Sequence, residues 1–231
     1  MKDCGKFDLA VCDFEYGIDV ANMPYLREMK TTVRQKNGTR LNGNRNKTPH
    51  TKKNWDKQPP PQAYFDKLKE VAVEQILFGI DYVNWTGVGT GRIKWDKGFA
   101  EGMSFNRYET AYCSMIENEI EVQMLWAGMM QAKSVLEPMV QQGNKKLNEK
   151  RIHPTQKPVN LYIKLLMDFA KKGWRIIDTH GGSMSIAIAV DYLNRYHNME
   201  LELVVCEIDK EYYDKSVKRY KQATAQNLLQ F

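Results

Sequence analysis

Cysteine and histidine are scarce, four of each in 231 residues. Cys4, Cys12, Cys113 and Cys206 lie far apart and form no C-x-x-C pair. Cys12 and Cys206 fall within short apolar runs, so reduced and mostly buried thiols are expected, not disulfides or a metal site. His153 and His180 have no cysteine or second histidine at ligand spacing. Both read as polar packing residues, and no bound metal is expected. Long apolar runs are also missing. None approaches the roughly 20 residues of a membrane span, and no charged-then-apolar leader is visible. The expectation is a cytoplasmic protein without a membrane partner. No internal repeat appears. What is present is an ordinary apolar share of 42%. A chain of this length and composition is expected to form a single domain over residues 1–231 with a substantial core.

Acidic residues are nearly absent from one stretch. Between Arg27 and Lys57 ten Lys and Arg stand against Glu28 and Asp56, a local charge of +8 in a chain whose net charge is +6. The rest of the chain is therefore slightly acidic. Charge gathered in one segment points to a polyanionic partner at that segment. Residues 22–62 also show little periodicity and are rich in Asn, Thr, Gly, Lys and Arg. They read as a basic loop or insert, ordered by a partner or not at all. Arg34, Lys36, Arg40, Arg45, Lys52 and Lys53 are its candidate nucleic-acid contacts.

The remainder alternates between strand-like and helix-like runs. Phe7–Cys12, Gln75–Tyr82, Arg92–Trp95, Glu109–Met115, Glu121–Trp126, Trp174–Asp178 and Leu203–Cys206 read as strands. Ala63–Val73, Leu161–Phe169 and Ile186–Tyr196 have helical spacing, and Pro158 suits the first position of the second of these. Such alternation implies a mainly parallel sheet flanked by helices. Ser134–Lys150 is polar and reads as a loop near the nucleic acid or a dimer contact. Thr86–Gly91 is glycine-rich but precedes a strand, so it reads as a hairpin-type loop and not a phosphate site.

Chemistry concentrates in Arg151–Ser185. His153-Pro154-Thr155-Gln156-Lys157-Pro158 is a polar turn before a helix. The strand ending at Asp178 then runs directly into Thr179-His180-Gly181-Gly182-Ser183-Met184 and another helix. Strand, glycine turn and helix make a nucleotide-binding arrangement, because glycines admit a ligand to backbone N–H groups. Glu207 follows at the tip of the next strand, about 20 residues on, where a carboxylate accepts from ribose hydroxyls. Asp13 to Tyr16 occupy the C-terminal end of the first strand, where open α/β sheets place ligands.

HPTQKP, DTHGGS and VVCEIDKEYYDKSVKRY together resemble the permuted class of amino-group DNA methyltransferases of phages and bacterial restriction–modification systems. The order of the motifs is the specific part, and the likeness spans nearly the whole chain. It implies a Rossmann-like α/β methyltransferase fold, a seven-stranded sheet with one antiparallel edge strand and permuted motif order. S-adenosyl-L-methionine is the implied cofactor and double-stranded DNA the implied partner, with a homodimer left open. The implied reaction is methyl transfer to adenine N6 or cytosine N4 of a flipped base. By resemblance Asp13 and the Phe14 carbonyl accept from the target amine, and Tyr16 stacks on the base. Thr155 and Lys157 touch the methionine end of the cofactor, and Asp178, Thr179, His180, Gly182, Ser183 and Glu207 complete its site.

The chain departs from the family pattern twice. Phe14-Glu15 replaces Pro-Pro, and Met184 stands where glycine is usual; methionine is expected to take an ordinary backbone conformation there. Three readings stay open at this point: an active DNA methyltransferase, a degenerate homologue serving as a DNA-binding module, and an RNA or small-substrate methyltransferase.

Overall fold

The computed structural model describes residues 5–20, 30–34, 40–44, 53–99 and 106–225, with backbone alone for 30–34 and 40–44. Tertiary contacts divide the chain into one unit of Met1–Phe14 with Pro60–Phe231 and a second of Glu15–Pro59.

The larger unit is built on seven strands. They are β1 (Phe7–Asp13), β4 (Ala72–Phe78), β5 (Arg92–Asp96), β6 (Tyr108–Cys113), β7 (Glu119–Gln123), β10 (Arg175–Asp178) and β11 (Glu202–Val205), in the order β11-β10-β1-β4-β6-β5-β7. All run parallel except β6, which is antiparallel to both β4 and β5. The sheet is thus mainly parallel with one reversed strand. That strand is not at the edge, as expected, but between β4 and β5; β7 forms the edge. The turn-rich link Ser114–Asn118 returns the chain to pair β7 with β5, and this leaves β6 inside. Such an arrangement is a Rossmann-like α/β sheet.

Among the described residues four helices accompany the sheet: α1 (Gln62–Val71), α2 (Val159–Phe169), α3 (Ser185–His197) and α4 (Lys210–Ala225). Side chains alternate across each strand, so the sheet has two apolar faces. Leu9, Val11, Ile76, Phe78, Ile93 and Ile176 face one side, where they pack with Leu161, Leu165 and Leu166 of α2 and Ile186, Ala189 and Leu193 of α3. Ala10, Cys12, Leu77 and Ile177 are buried on the other side. Helix α1 buries Phe65, Leu68 and Val71. Pro158 is the N-cap of α2, one position earlier than expected. A small β-hairpin, β8 (Trp126–Ala127) with β9 (Met130–Gln131), precedes the largely irregular stretch to Lys150. No helix among the described residues is long and apolar enough to cross a membrane.

The thiols differ in part from expectation. Cys12 and Cys113 are buried, and burial pushes the Cys113 thiol up. Cys206 is exposed, because β11 ends at Val205 and the thiol sits on the loop beyond it.

The smaller unit contains an antiparallel hairpin of β2 (Lys30–Arg34) and β3 (Arg40–Asn44), paired Lys30↔Asn44 through Arg34↔Arg40. The sequence reading has a loop here, since polar and basic residues hide the alternation. The unit's other organiser is Asp56. Its buried carboxylate accepts from the backbone N–H of Gly17 at 2.9 Å and of Val20 at 2.7 Å, with Tyr16 and Ile18 N–H also bonded to it. Burial raises the Asp56 carboxyl above its usual range, against the lowering effect of those bonds.

Candidate active site

Three carboxylates meet the C-terminal edge of adjacent parallel strands. Asp13 ends β1, Asp178 ends β10, and Glu207 lies two residues beyond β11. The register Ala10↔Ile177 and Asp178↔Val205 carries all three to the same edge. Chain direction across the sheet reverses here: β1 leads to β4 on one side, whereas β10 and β11 add on the other. Open α/β sheets bind ligands at such a switch point.

Between β10 and α3 runs the glycine turn. Gly181 N–H donates to the Cys206 carbonyl at 2.8 Å, and Met184 N–H to the Gly181 carbonyl at 2.7 Å. A Cβ on Gly181 would lie 2.4 Å from Val205 Cγ1, so only glycine fits where β11 passes. Gly182 has φ +49, and a Cβ there would meet only His153 at 3.8 Å among side chains. Its N–H donates to Glu207 Oε2 at 2.7 Å. The other oxygen of Glu207 accepts from Asp209 N–H, also at 2.7 Å. The residue expected at a ribose therefore also closes the glycine turn.

Met184 corrects an expectation. It is the N-cap of α3 at φ 53, ψ 35, in the left-handed region, and not the ordinary conformation anticipated for methionine. The turn keeps its glycine-type geometry while Met184 is buried, the residue being 8% exposed. Burial of the thioether chain offsets the strain of the backbone.

Asp178 is 2% exposed, and its Oδ1 accepts from His180 N–H at 2.9 Å. Burial dominates and pushes the carboxyl up to about 7, with Asp13 and Glu207 adding to the effect and the His180 bond opposing it. Thr179 Oγ1 lies 2.6 Å from Tyr64 Oη, 2.9 Å from His180 Nδ1 and 3.3 Å from Cys12 Sγ. This ties the turn to α1 and β1. Ser183 Oγ is 3.0 Å from Ser185 Oγ, and the Ser185 hydroxyl donates to the Lys157 carbonyl at 2.7 Å. The glycine turn and the HPTQKP turn are thereby joined. Arg219 of α4 braces the same point by donating to the Ser183 carbonyl and to Glu149, both at 2.8 Å.

Within HPTQKP, buried Gln156 holds the turn. Its Oε1 accepts from Ile152 N–H at 2.9 Å, and its carbonyl accepts from Trp126 Nε1 at 2.9 Å. Thr155 Oγ1 is 3.1 Å from His153 Nδ1, and the His153 ring stands edge-on to Tyr212 at 4.3 Å. Lys157, expected to touch the methionine end of the cofactor, ends between two carboxylates. Its Nζ lies 2.5 Å from Asp13 Oδ1 and 2.5 Å from Glu109 Oε1.

Phe14 is 2% exposed, with its ring 4.9 Å from that of Trp85 and 6.4 Å from that of Tyr64. Here a buried aromatic replaces the family's proline. Tyr16 belongs to the smaller unit, where its N–H is bonded to Asp56. Of the basic candidates, Lys53 is half-buried, Arg34 and Arg40 are placed by backbone alone, and Lys36, Arg45 and Lys52 lie outside the described residues. Reading the sequence did not single out Glu109, Tyr64 or Arg219. A signal existed only for Glu109, a charge in an otherwise strand-forming run that ends at buried Cys113.

The N6_N4_Mtase family, described as DNA methylase, matches residues 19–218. Asp13, Phe14 and Tyr16 lie just before that match, and every other candidate of the glycine and HPTQKP turns lies inside it. Among solved structures the chain is similar to the M1.HpyAVI–SAM complex, at 16% identity and TM-score 0.49 over 94% of this chain and 90% of that one. It is also similar to PvuII DNA methyltransferase (cytosine-N4-specific), at 10% identity and TM-score 0.43 over 96% of this chain and 86% of that one. No curated protein matches. Because the family match spans most of the sequence, the chain belongs to the N6/N4 DNA methylase family.

Proposed function

We propose that the chain methylates adenine N6 or cytosine N4 of a base flipped out of double-stranded DNA, with Asp13 as the acceptor of the target amine's N–H. The observation that carries this reading is the convergence of Asp13, Asp178 and Glu207 on one sheet edge beside the glycine turn.

S-adenosyl-L-methionine, the methyl donor of this family, supplies an electrophilic methyl group on a positively charged sulfur. The residues present fit it. Asp178 is a carboxyl whose burial holds its pKa up, with Asp13 and Glu207 adding to the effect, and a cationic ligand beside it would lower it. A Cβ on Gly182 would only touch the His153 ring, at 3.8 Å, so His153 borders the turn without crowding it. Asp178, Thr179, His180, Gly182, Ser183 and Glu207 are the residues proposed to hold it, with Thr155 at the edge of the same turn.

An exocyclic amine is a poor nucleophile because its lone pair is delocalised into the ring. A carboxylate on one N–H favours a tetrahedral nitrogen and localises that pair for in-line attack. When the methyl group passes from sulfur to nitrogen, the S–CH3 bond breaking to leave a neutral thioether, the carboxylate would stabilise the positive charge gained by the nitrogen and take its surplus proton. Positioning and electrostatics supply most of the acceleration. Tyr16, three residues further along the chain, is proposed to stack on the base, and the Phe14 carbonyl to take the second N–H. The basic stretch within residues 22–62 is proposed as the DNA-contacting part of one methyltransferase domain. A bacterial or phage-infected cytoplasm, and a restriction–modification or phage setting, suit this activity.

The test is transfer of labelled methyl to unmethylated duplex DNA. The natural sequence is expected to transfer, and Asp13→Ala to lose roughly 10²-fold or more while still binding the cofactor in calorimetry. Equal rates for the two proteins would overturn the assignment. Label appearing on RNA and not on DNA would move the substrate.

A further inference from the structure

We propose that Lys157 and Glu109 form a charge-balanced clamp that aims the Asp13 carboxylate, so that Lys157 is a positioning residue and not a cofactor contact. The proposal rests on the reading of Asp13 as the amine acceptor.

The clamp follows from sheet register. Asp13 pairs with Phe78, the last residue of β4, and Phe78 pairs with Ala111 of the reversed strand β6. Reversal matters here. A parallel strand would bring its C-terminal residues to this edge, whereas β6 brings residues from its start, and Glu109 is the second of them. Lys157 arrives from the turn before α2. Its side chain is 3% exposed, and its Nζ sits 4.4 Å from the Phe78 ring centroid. It donates to both carboxylates at 2.5 Å. Lys97, just past β5, stands 3.6 Å from the other oxygen of Glu109. Two cations thus balance two anions in a half-buried row, with Lys157 its buried member.

Each member has a job that a lone Asp13 could not do. Lys157 engages Asp13 Oδ1, which fixes the plane of the carboxylate proposed to accept from the amine. An ammonium alone at this place would repel both a sulfonium and the cationic nitrogen that forms during transfer. Glu109 cancels that repulsion. Burial by itself would lower the Lys157 ammonium, but the two carboxylates outweigh it and hold the group raised. The other titratable groups facing the row are Tyr162 of α2, Cys12 of β1 and Asp178 at the end of β10.

Removing the cation leaves two carboxylates within about 5 Å of each other, a pair that resists full ionisation. The decisive measurement is the titration of Asp13 by carboxyl 13C NMR, which needs no turnover. In Lys157→Met the Asp13 midpoint should rise by at least about one pH unit, and in Glu109→Gln it should fall. Single-turnover transfer by Lys157→Met should drop roughly 30-fold relative to the natural sequence through lost aim of the carboxylate, and its fall-off on the acid side should move up in pH with the Asp13 midpoint. Cofactor affinity should stay within about threefold. The double change Lys157→Met with Glu109→Leu removes the like-charge pair and should regain at least tenfold of the lost rate. Should Lys157→Met fold poorly, Glu109→Gln and the double variant still decide the matter. An unmoved Asp13 midpoint in these variants overturns the clamp. So does a tenfold loss of cofactor affinity at unchanged saturated rate, which would make Lys157 a cofactor contact. Failure of the natural sequence to methylate DNA would instead strike the acceptor role of Asp13, and the titration would still test the clamp.

Discussion

At Met184, alanine and glycine should exchange their usual order of stability. The residue caps α3 at φ 53 and is 8% exposed. Both Met184→Ala and Met184→Gly delete the buried chain, at a cost of about 2–5 kcal/mol including the cavity. They differ in backbone alone. Alanine in the left-handed region carries a strain of roughly 1–2 kcal/mol that glycine lacks. Against this, glycine gives the unfolded chain more freedom, which costs about 0.4–1 kcal/mol. The difference leaves glycine ahead by about 1 kcal/mol, or about 2–4 °C in Tm for a chain of this size. In an ordinary helix position glycine would be behind by a similar amount. Urea unfolding followed by far-ultraviolet circular dichroism measures both variants directly. Alanine equal to or above glycine would refute a left-handed Met184. The same geometry bears on function. Since the turn already has its glycine-type conformation, Met184→Gly should change S-adenosylmethionine affinity by less than about threefold, apart from effects of the emptied space.

Other outcomes follow from the same residues. Asp178, pushed up to about 7, keeps a proton between about pH 4 and 7 that the unfolded chain has released, so its contribution is full at low pH and lost as pH rises through 7. Thermal unfolding of Asp178→Asn should therefore show a flatter decline over that window, with Tm at pH 8 above that of the natural sequence. Glu207→Ala removes acceptors from Gly182 and Asp209 N–H, so it should lower Tm as well as weaken cofactor binding by on the order of 1–3 kcal/mol; calorimetry showing unchanged affinity would remove Glu207 from the site. Phe14→Pro, which restores the family residue, should cost about 3–5 kcal/mol because the ring is packed between Trp85 and Tyr64, as denaturant unfolding would register. DNA affinity should fall steeply with salt, and replacing Arg34, Lys36, Arg40 and Arg45 with alanine should flatten the slope by roughly one unit per lost phosphate contact.

Elements whose pattern depends on local spacing were legible in the sequence. The strands β1, β10 and β11 and the helices α1, α2 and α3 fall within a few residues of the expected bounds, because apolar periodicity and Gly or Pro punctuation are local signals. The hairpin β2–β3 escaped because its polar residues mask alternation. The placement of β6 inside the sheet was not legible either, since strand order depends on long-range pairing that no local pattern encodes. The same division runs through the site. Asp178, Gly182 and Glu207 announce themselves by strand, turn and strand tip. Lys157 was noticed as part of a motif, but its partners could not be read. Glu109 lies 48 positions earlier and becomes its neighbour only through the reversal of β6. Phe14 and Met184 looked like losses against a family pattern, whereas in the fold one fills an aromatic cluster and the other holds the glycine-type turn.

Charge explains why the chain separates its acidic and basic residues so sharply. The sheet edge holds Asp13, Glu109, Asp178 and Glu207, with Lys157 and Lys97 committed to the row at Glu109. An edge of that sign favours a cationic methyl donor and a nitrogen that becomes positive as the bond forms. It also repels a phosphate backbone, so DNA cannot be attracted by the groups that do the chemistry. On the proposed reading attraction would come from the block with a local charge of +8 between Arg27 and Lys57. A flipped base is uncharged, so an acidic edge that phosphates would avoid does not repel it. On the proposed reading the two charge regimes are complementary requirements of one reaction: the basic block would hold the backbone, and the acidic edge would stabilise a cation developing on the base.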